Sequence, residues 1–316
     1  MAFPHIAHRA RVIIDNDFSG DPDGLVQLAH SLLSPSVDIR AVIGSHLRPG
    51  DPFDPSDRTA DNAAAAATEV IETLGIGTAA PVIAGSNVAL PDARTPHRSA
   101  GALAIVAEAM RDSDLPLYVA CGAGLTEVAS ACLIEPRIAD RMTVVWIGGQ
   151  EDPALATPPP NASAVEYNLA IDIAAARMVF SDSTVPIWQV PRNAYRQTLL
   201  SSAELTVRVR PHGPIGTLLA DRIDAVGDMA SAHGVELGET YIMGDSPLVL
   251  LTALQSAFEA DPSSSAYAIR PAPRILADGT AEFDGTGRPI RVYTRLDLRL
   301  MFEDFFAKLV LHSARA

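Results

Sequence analysis

Residues 11–33 read "RVIIDNDFSGDPDGLVQLAHSLL". The apolar run Val12–Ile14 leads straight into four aspartates, Asp15, Asp17, Asp21 and Asp23, packed into nine positions. The run has the length of a buried strand, and "DGLVQLAHSLL" (23–33) carries the spacing of a helix with Pro22 near its first turn. Like charges this dense repel one another, so a turn gains from gathering them only where a cation or a proton shares the site. A strand, an acidic turn and a helix make the first step of a β-α alternation.

The rest of the chain repeats that step. "DIRAVIG" (38–44), "APVIAG" (80–85), "PLYVACG" (116–122), "MTVVWIGG" (142–149) and "VPIWQV" (185–190) read as strands. Between them, residues 60–75, 99–113, 125–136 and 170–181 read as helices. This rhythm predicts an α/β fold: an open, mostly parallel, doubly wound sheet flanked by helices. Beyond residue 200 the pattern becomes mainly helical, with a hairpin in "PRILADGTAEFDGTGRPIRVYT" and a terminal helix "LDLRLMFEDFFAKLV". Without internal repeats or a low-complexity linker, residues 1–316 are expected to form a single domain. Ligands of such sheets bind outside the carboxyl ends of the strands. Asp15–Asp23, Ser45–His46, Gly122–Thr126 and Gly148–Gln150 are therefore expected on one rim.

Composition narrows the function class. Hydrophobic residues make up 48% of the chain and charged residues 20%, as in a globular protein with a substantial core. The net charge of −14 and the lack of a basic run argue against nucleic-acid and anionic-membrane partners. Cys121 and Cys132 sit in apolar surroundings and read as core thiols of a reducing compartment. "MAFPHIAHRARVIID" has no apolar h-region, and no run approaches the length of a membrane span, so a cytoplasmic location is expected.

The aspartate loop admits three readings. As a helix-flanked calcium loop it supplies carboxylates at positions 1, 3, 7 and 9, with Gly20 at position 6, but Val26 stands where a bidentate Glu is needed. As an aspartyl-phosphate site, "VIIDNDFS" offers Asp15 as nucleophile and Asp17 as general acid, yet the sole lysine is the distant Lys308. As a metal-dependent glycosidase site, the loop cradles Ca²⁺ with help from backbone carbonyls and a remote carboxylate.

The third reading coincides with a family resemblance. "DNDFSGDPDG" (15–24) resembles a variant of the Asp-x-Asp-Pro-Gly-x-Asp-Asp opening of the inosine–uridine-preferring nucleoside hydrolases. "CGAGLTEVA" (121–129) is similar to that family's Gly-Pro-Leu-Thr-Asn turn, "VVWIGG" (144–149) to its Met-Gly-Gly strand end and "GDSPLVLLTAL" (244–254) to its His-Asp-Pro-Leu-Ala stretch. "NASAVEYNLAIDIAAARMVF" (161–180) resembles its Asn…Ala-Glu-Phe-Asn segment. The resemblance implies Ca²⁺-dependent hydrolysis of N-ribosidic bonds. It makes Asp17 the base and a metal ligand. Asp21 and Asp23 would share metal and ribose contacts, Thr126 would give its carbonyl and Asp245 a remote carboxylate at the edge of the sugar site. Asn161, Glu166 and Asn168 would bind sugar hydroxyls. The partners implied are a nucleoside or another ribosyl compound and further copies of the chain in a homo-oligomer.

Each match has a plainer counterpart. Asp23 and Asp245 are also suited to helix starts, Thr126 to an N-cap, and His46 and His97 to structural roles. The chain also departs from the family pattern. Asp21 is followed by Pro22, and the next acid is Asp23, so the roles of the two stay open. The family's leaving-group His is replaced by Gly244, leaving Tyr241, His233, Tyr195 and Trp188 as candidates for its task. A calcium- and sugar-binding homologue without nucleoside turnover is the alternative these departures raise.

Overall fold

The computed structural model describes residues 6–315. The first five residues of the N-terminal stretch read as lacking an apolar leader, and residue 316, lie outside them. Eight strands form the central sheet: β1 (Ala10–Asn16), β2 (Val37–Gly44), β3 (Val82–Ala84), β4 (Leu117–Cys121), β5 (Thr143–Ile147), β6 (Ile187–Val190), β7 (Ala266–Pro271) and β8 (Pro289–Arg295). Their order is β3-β2-β1-β4-β5-β6-β8-β7. Neighbours run parallel except β7, which lies antiparallel to β8 at the edge.

The chain winds from β1 outward to β3, then crosses back to β4 on the other side of β1. The order therefore reverses between β1 and β4, where such sheets leave a crevice. Asp15 stands in register with Cys121, and the Gly122 amide donates to the Asp15 carbonyl at 3.0 Å. The aspartate loop and the Gly122 turn leave the sheet side by side.

Both faces of the sheet are covered. Val12 and Ile14 pack into one apolar cluster with α1 (Asp23–Leu32), α2 (Thr59–Leu74) and the helices Gly213–Ala232, Pro247–Thr252 and Leu298–Ser313. Ile13 points the other way, into a cluster with α3 (Ala100–Met110) and α4 (Thr126–Ile134). Ile13 and Ile14 are both 0% exposed, worth about 1.5–3 kcal/mol each in transfer energy. Ser99 caps α3 by accepting from the Ala102 amide at 3.0 Å.

Two expected elements differ. The stretch 170–181 is not one helix: α5 (Tyr167–Ile171) and α6 (Ile173–Arg177) meet at Asp172, and a π turn follows over Met178–Asp182. Asp172 takes an extended backbone because its carboxylate caps α6, accepting from the Ala175 amide at 2.8 Å. The hairpin is only partly formed. Arg274–Ile275 pairs with Ala281–Glu282, but "PIRVYT" becomes β8 and joins the main sheet beside β6. A small antiparallel ribbon, Leu199–Ser201 with Thr240–Ile242, stands at the carboxyl rim. No helix among the described residues is long and apolar enough to cross a membrane.

Candidate active site

The carboxyl ends of β1 and β4 open into a cavity of about 350 Å³. Asp17, Asp21 and Asp23 enter it from the first loop, Gly122 and Ile147 from the ends of β4 and β5, and Glu166, Tyr167 and Asn168 from the head of α5. Tyr195, Ile242, Gly244 and Asp245 close the far side, and Phe53 the mouth. A larger cleft of about 510 Å³ lies outside the loop against α2, but none of these four aspartates lines it.

The pleat of β1 sorts the acids. Asp15 shares the Ile13 side of the sheet, is 0% exposed and lies within bonding distance of Ser45 Oγ and Cys121 Sγ, away from the cavity. That placement removes the aspartyl-phosphate reading, because a nucleophile there cannot meet a substrate. Asn16 points the opposite way. Its Nδ2 donates to Asp245 Oδ2 at 2.9 Å, and its Oδ1 accepts from the Asp17 amide at 2.9 Å. One amide thus ties the remote acid to the loop acid. A Cβ on Gly122 would stand 2.5 Å from Asn16 Nδ2, so only glycine lets the β4 turn approach this closely. Asn16 and Gly122 are site residues that the motif comparison passed over. The signal was positional: one sits between two acids on the alternate face, the other is the first residue past β4.

Asp17, Asp23 and Asp245 are all less than a tenth exposed. Burial, then the facing charges of Asp245 and Asp21, push Asp17 and Asp23 well above the ordinary carboxylate range. Burial pushes Asp245 up to about 7, against the Asn16 hydrogen bond. Asp23 Oδ2 also accepts from the Asp245 amide at 2.9 Å, while Asp21 Oδ1 accepts from Tyr241 Oη at 2.7 Å. The strongest charges acting on these acids are other acids. An all-oxygen, mutually repelling and desolvated set fits a hard divalent cation. The shell is not closed in advance, since no three His, Cys, Asp or Glu side chains among the described residues already enclose an ion site.

Opposite the acids, Glu166 caps α5. Its Oε2 accepts from the amides of Leu169 at 3.1 Å and Gly149 at 2.7 Å, and its Oε1 from Tyr195 Oη at 2.8 Å. Gly149, at φ +88°, can aim its amide this way without the strain a side chain would bring. Asn168 Nδ2 donates to the carbonyls of Gly122 at 3.0 Å and Ile147 at 2.8 Å, so Oδ1 is the atom left to meet a ligand. Tyr167 Oη donates to Asp51 Oδ2 at 2.5 Å, bringing the loop after β2 over the mouth.

Asp17, Asp21, Asp23, Glu166, Asn168 and Asp245 are thus brought together, whereas two other expected residues are not. Thr126 lies in the first turn of α4 and does not line the cavity. Its hydroxyl is spent on Asp172 at 2.7 Å and His46 at 2.9 Å. Gly122, just past β4, does line the cavity, and its carbonyl accepts from Asn168 Nδ2 at 3.0 Å. Asn161 is exposed at φ +62° in the loop before α5 and lines no part of the cavity. Ser45 and His46 are buried beneath the rim. Among the candidates for the leaving-group task, His233 ends the helix Gly213–Ala232 and Trp188 packs against Tyr118 and Tyr293, which leaves the two tyrosines.

Similar proteins accord with this arrangement. The chain aligns over 200 residues, at 28% identity, with an inosine-uridine preferring nucleoside hydrolase of Crithidia fasciculata. That alignment spans 58% of this chain and only 55% of the relative. Its fold matches a purine-preferring ribonucleoside hydrolase from Gardnerella vaginalis, with TM-score 0.74 and 18% identity over 97% of this chain and 100% of the other. A plant nucleoside hydrolase superposes with TM-score 0.71 and 18% identity over 95% and 99%. The family model for inosine-uridine preferring nucleoside hydrolases matches residues 12–297, nearly the whole chain. The chain belongs to that family.

Proposed function

We propose that this protein hydrolyses the N-ribosidic bond of nucleosides in the cavity between β1 and β4, with Ca²⁺ held by Asp17, Asp21, Asp23, Asp245 and the Gly122 carbonyl. The observation that carries the proposal is the desolvated acid wall facing Glu166 and Asn168 across a space of about 350 Å³. Bound there, the cation would supply charge neutralisation and a more acidic water.

The remaining chemistry belongs to the chain. Asp17 takes the proton of the attacking water, a role suited by its place in the cavity wall, where the Asn16 amide oxygen accepts from its backbone N–H. Glu166 accepts a hydrogen bond from a sugar hydroxyl, its position fixed by two amides and Tyr195. Asn168 accepts through Oδ1, since its Nδ2 donates to two backbone carbonyls. Asp21 or Asp23 takes another hydroxyl. Such pairing rejects substrates lacking a hydroxyl, because the buried partners are left unmatched. The cavity mouth under Phe53 and the Asp51–Tyr167 bridge limits the access of bulk water.

Ribose release from a panel of purine and pyrimidine nucleosides, with and without chelator, tests the assignment. Cation-dependent release that Asp17→Ala abolishes supports it. Binding without release would favour the sugar-binding alternative, and metal-independent release would refute the role of the acid wall. We place the protein in the cytoplasm, in nucleoside salvage, as a homo-oligomer.

A further inference from the structure

We infer that the preferred substrates are N-ribosides carrying a positive charge at the glycosidic nitrogen, such as N-ribosylpyridinium compounds, rather than neutral nucleosides. The inference rests on the hydrolase reading above and concerns the leaving group at the same site.

Five carboxylates line the cavity, Asp17, Asp21, Asp23, Glu166 and Asp245, and no arginine, lysine or histidine does so among the described residues. The nearest cations behind the wall are already paired. Arg192 forks onto Glu151 at 2.7 and 2.6 Å, and Arg48 lies 3.7 Å from Asp51. A single divalent ion leaves the cavity negative. The rest of the lining is Asn168, two glycines, Ile147 and Ile242 and the rings of Phe53, Tyr167 and Tyr195. The Arg48 guanidinium already stacks over Tyr167 at 4.4 Å, which leaves Phe53 and Tyr195 as faces that attract organic cations.

The proton donors are committed elsewhere. Tyr195 Oη donates to Glu166, Tyr167 Oη to Asp51 and Tyr241 Oη to Asp21. At position 244, a Cβ would stand 3.2 Å from Asp23 Oδ2 and 3.6 Å from the Tyr195 ring, but glycine offers no donor there.

A neutral nucleoside needs such a donor, since its base otherwise departs as an anion into an acidic cavity. A ribosylpyridinium does not. The C1′–N bond breaks, its electron pair neutralises the ring nitrogen and the water oxygen bonds to C1′. The water proton passes to Asp17 and then to solvent. The products are ribose, a neutral pyridine and one proton.

The test compares kcat/KM for ribose release from nicotinamide riboside with that for uridine and inosine, using Ca²⁺-loaded full-length protein. A preference of about tenfold or more for the cation, shrinking as salt is added, is expected. Equal or better use of either neutral nucleoside overturns the inference. Tyr195→Phe separates a donor from a wall: both substrate classes should slow together through Glu166, their ratio holding within about twofold. Selective loss of neutral-nucleoside turnover would make Tyr195 the acid and also overturn it. p-Nitrophenyl riboside, whose leaving group needs no proton, serves as the control. Its hydrolysis without preference for the cation sinks this inference alone, whereas no release from any riboside sinks the hydrolase reading with it.

Discussion

Neutralising one acid should stabilise this protein when it lacks a cation, and Asp245→Asn is the perturbation that shows it. Burial raises the Asp245 carboxyl from an ordinary 3.8 to about 7. An acid with a raised folded pKa contributes stability that is full below the unfolded value and lost as pH climbs through the folded one. For these two values, the wild-type protein loses about 3 kcal/mol between pH 5 and pH 8 from this group alone. Unfolding a chain of 316 residues at roughly 2.1 cal/mol/K per residue converts that loss into about 4 °C of melting temperature. The asparagine isostere keeps an oxygen for Asn16 and carries no charge. With chelator present, its melting-temperature advantage over wild type should grow by about 4 °C between pH 5 and pH 8 and vanish only below about pH 4. Titratable groups elsewhere cancel in the comparison. Saturating Ca²⁺ should narrow the gap at pH 8, since a cation at a hundred times its Kd adds about 2.7 kcal/mol to the wild type. Differential scanning fluorimetry across the pH series suffices as the assay. A chelated variant no more stable than wild type at pH 8 would refute the claim that mutual repulsion among desolvated acids dominates this site.

Asp17→Asn should lower kcat by about 10²–10⁴-fold, read by steady-state ribose release at Ca²⁺ raised until it saturates the weakened cation site, because it removes proton transfer while keeping the shape. Gly122→Ala should cost about 1–3 kcal/mol in urea unfolding, as its Cβ would force Asn16 away from Asp245. Thr126→Val should destabilise by a similar amount through Asp172 and His46, yet leave the Ca²⁺ affinity measured by calorimetry unchanged. Burial lowers His30, beside Asp304 at 2.8 Å, to about 4 from an ordinary 6.5. Its contribution is therefore present above pH 6.5 and falls away towards pH 4. The Ca²⁺-saturated protein should lose about 3 kcal/mol over that window, and His30→Asn should flatten the curve.

What could be read from the chain alone follows the range of the forces involved. The alternation of apolar runs with amphipathic stretches is local, so β1 to β6 and α1 to α4 emerge within a few residues of their bounds. The break at Asp172 was hidden because a cap is indistinguishable from a mid-helix acid until its partners, Thr126 and Leu90, arrive from distant segments. The destination of "PIRVYT" was hidden for the same reason, since pairing with β6 is set across a hundred residues. Within the site, spacing identified the carboxylates. It says nothing about which carbonyl the strand end exposes: Gly122 lines the cavity and Thr126 does not.

Asn16 shows why a loop of four aspartates needs a neutral member. Strand alternation sends Asp15 beneath the sheet and leaves Asn16 at the floor, where it donates to one acid and accepts from the chain of another. An aspartate at 16 would add a further buried charge and remove the donor that holds Asp245. The glycine at 122 follows from that amide, because the β4 turn must pass within contact of it. The strand reversal brings β1 and β4 together, and that proximity is what lets one asparagine hold an acid 229 residues away in the chain beside the loop acid next to it. Asn16→Asp should then impair cation binding more than loss of any single sugar contact. Retention of wild-type Ca²⁺ affinity in that variant, measured by calorimetry, would show that the acids organise themselves without it.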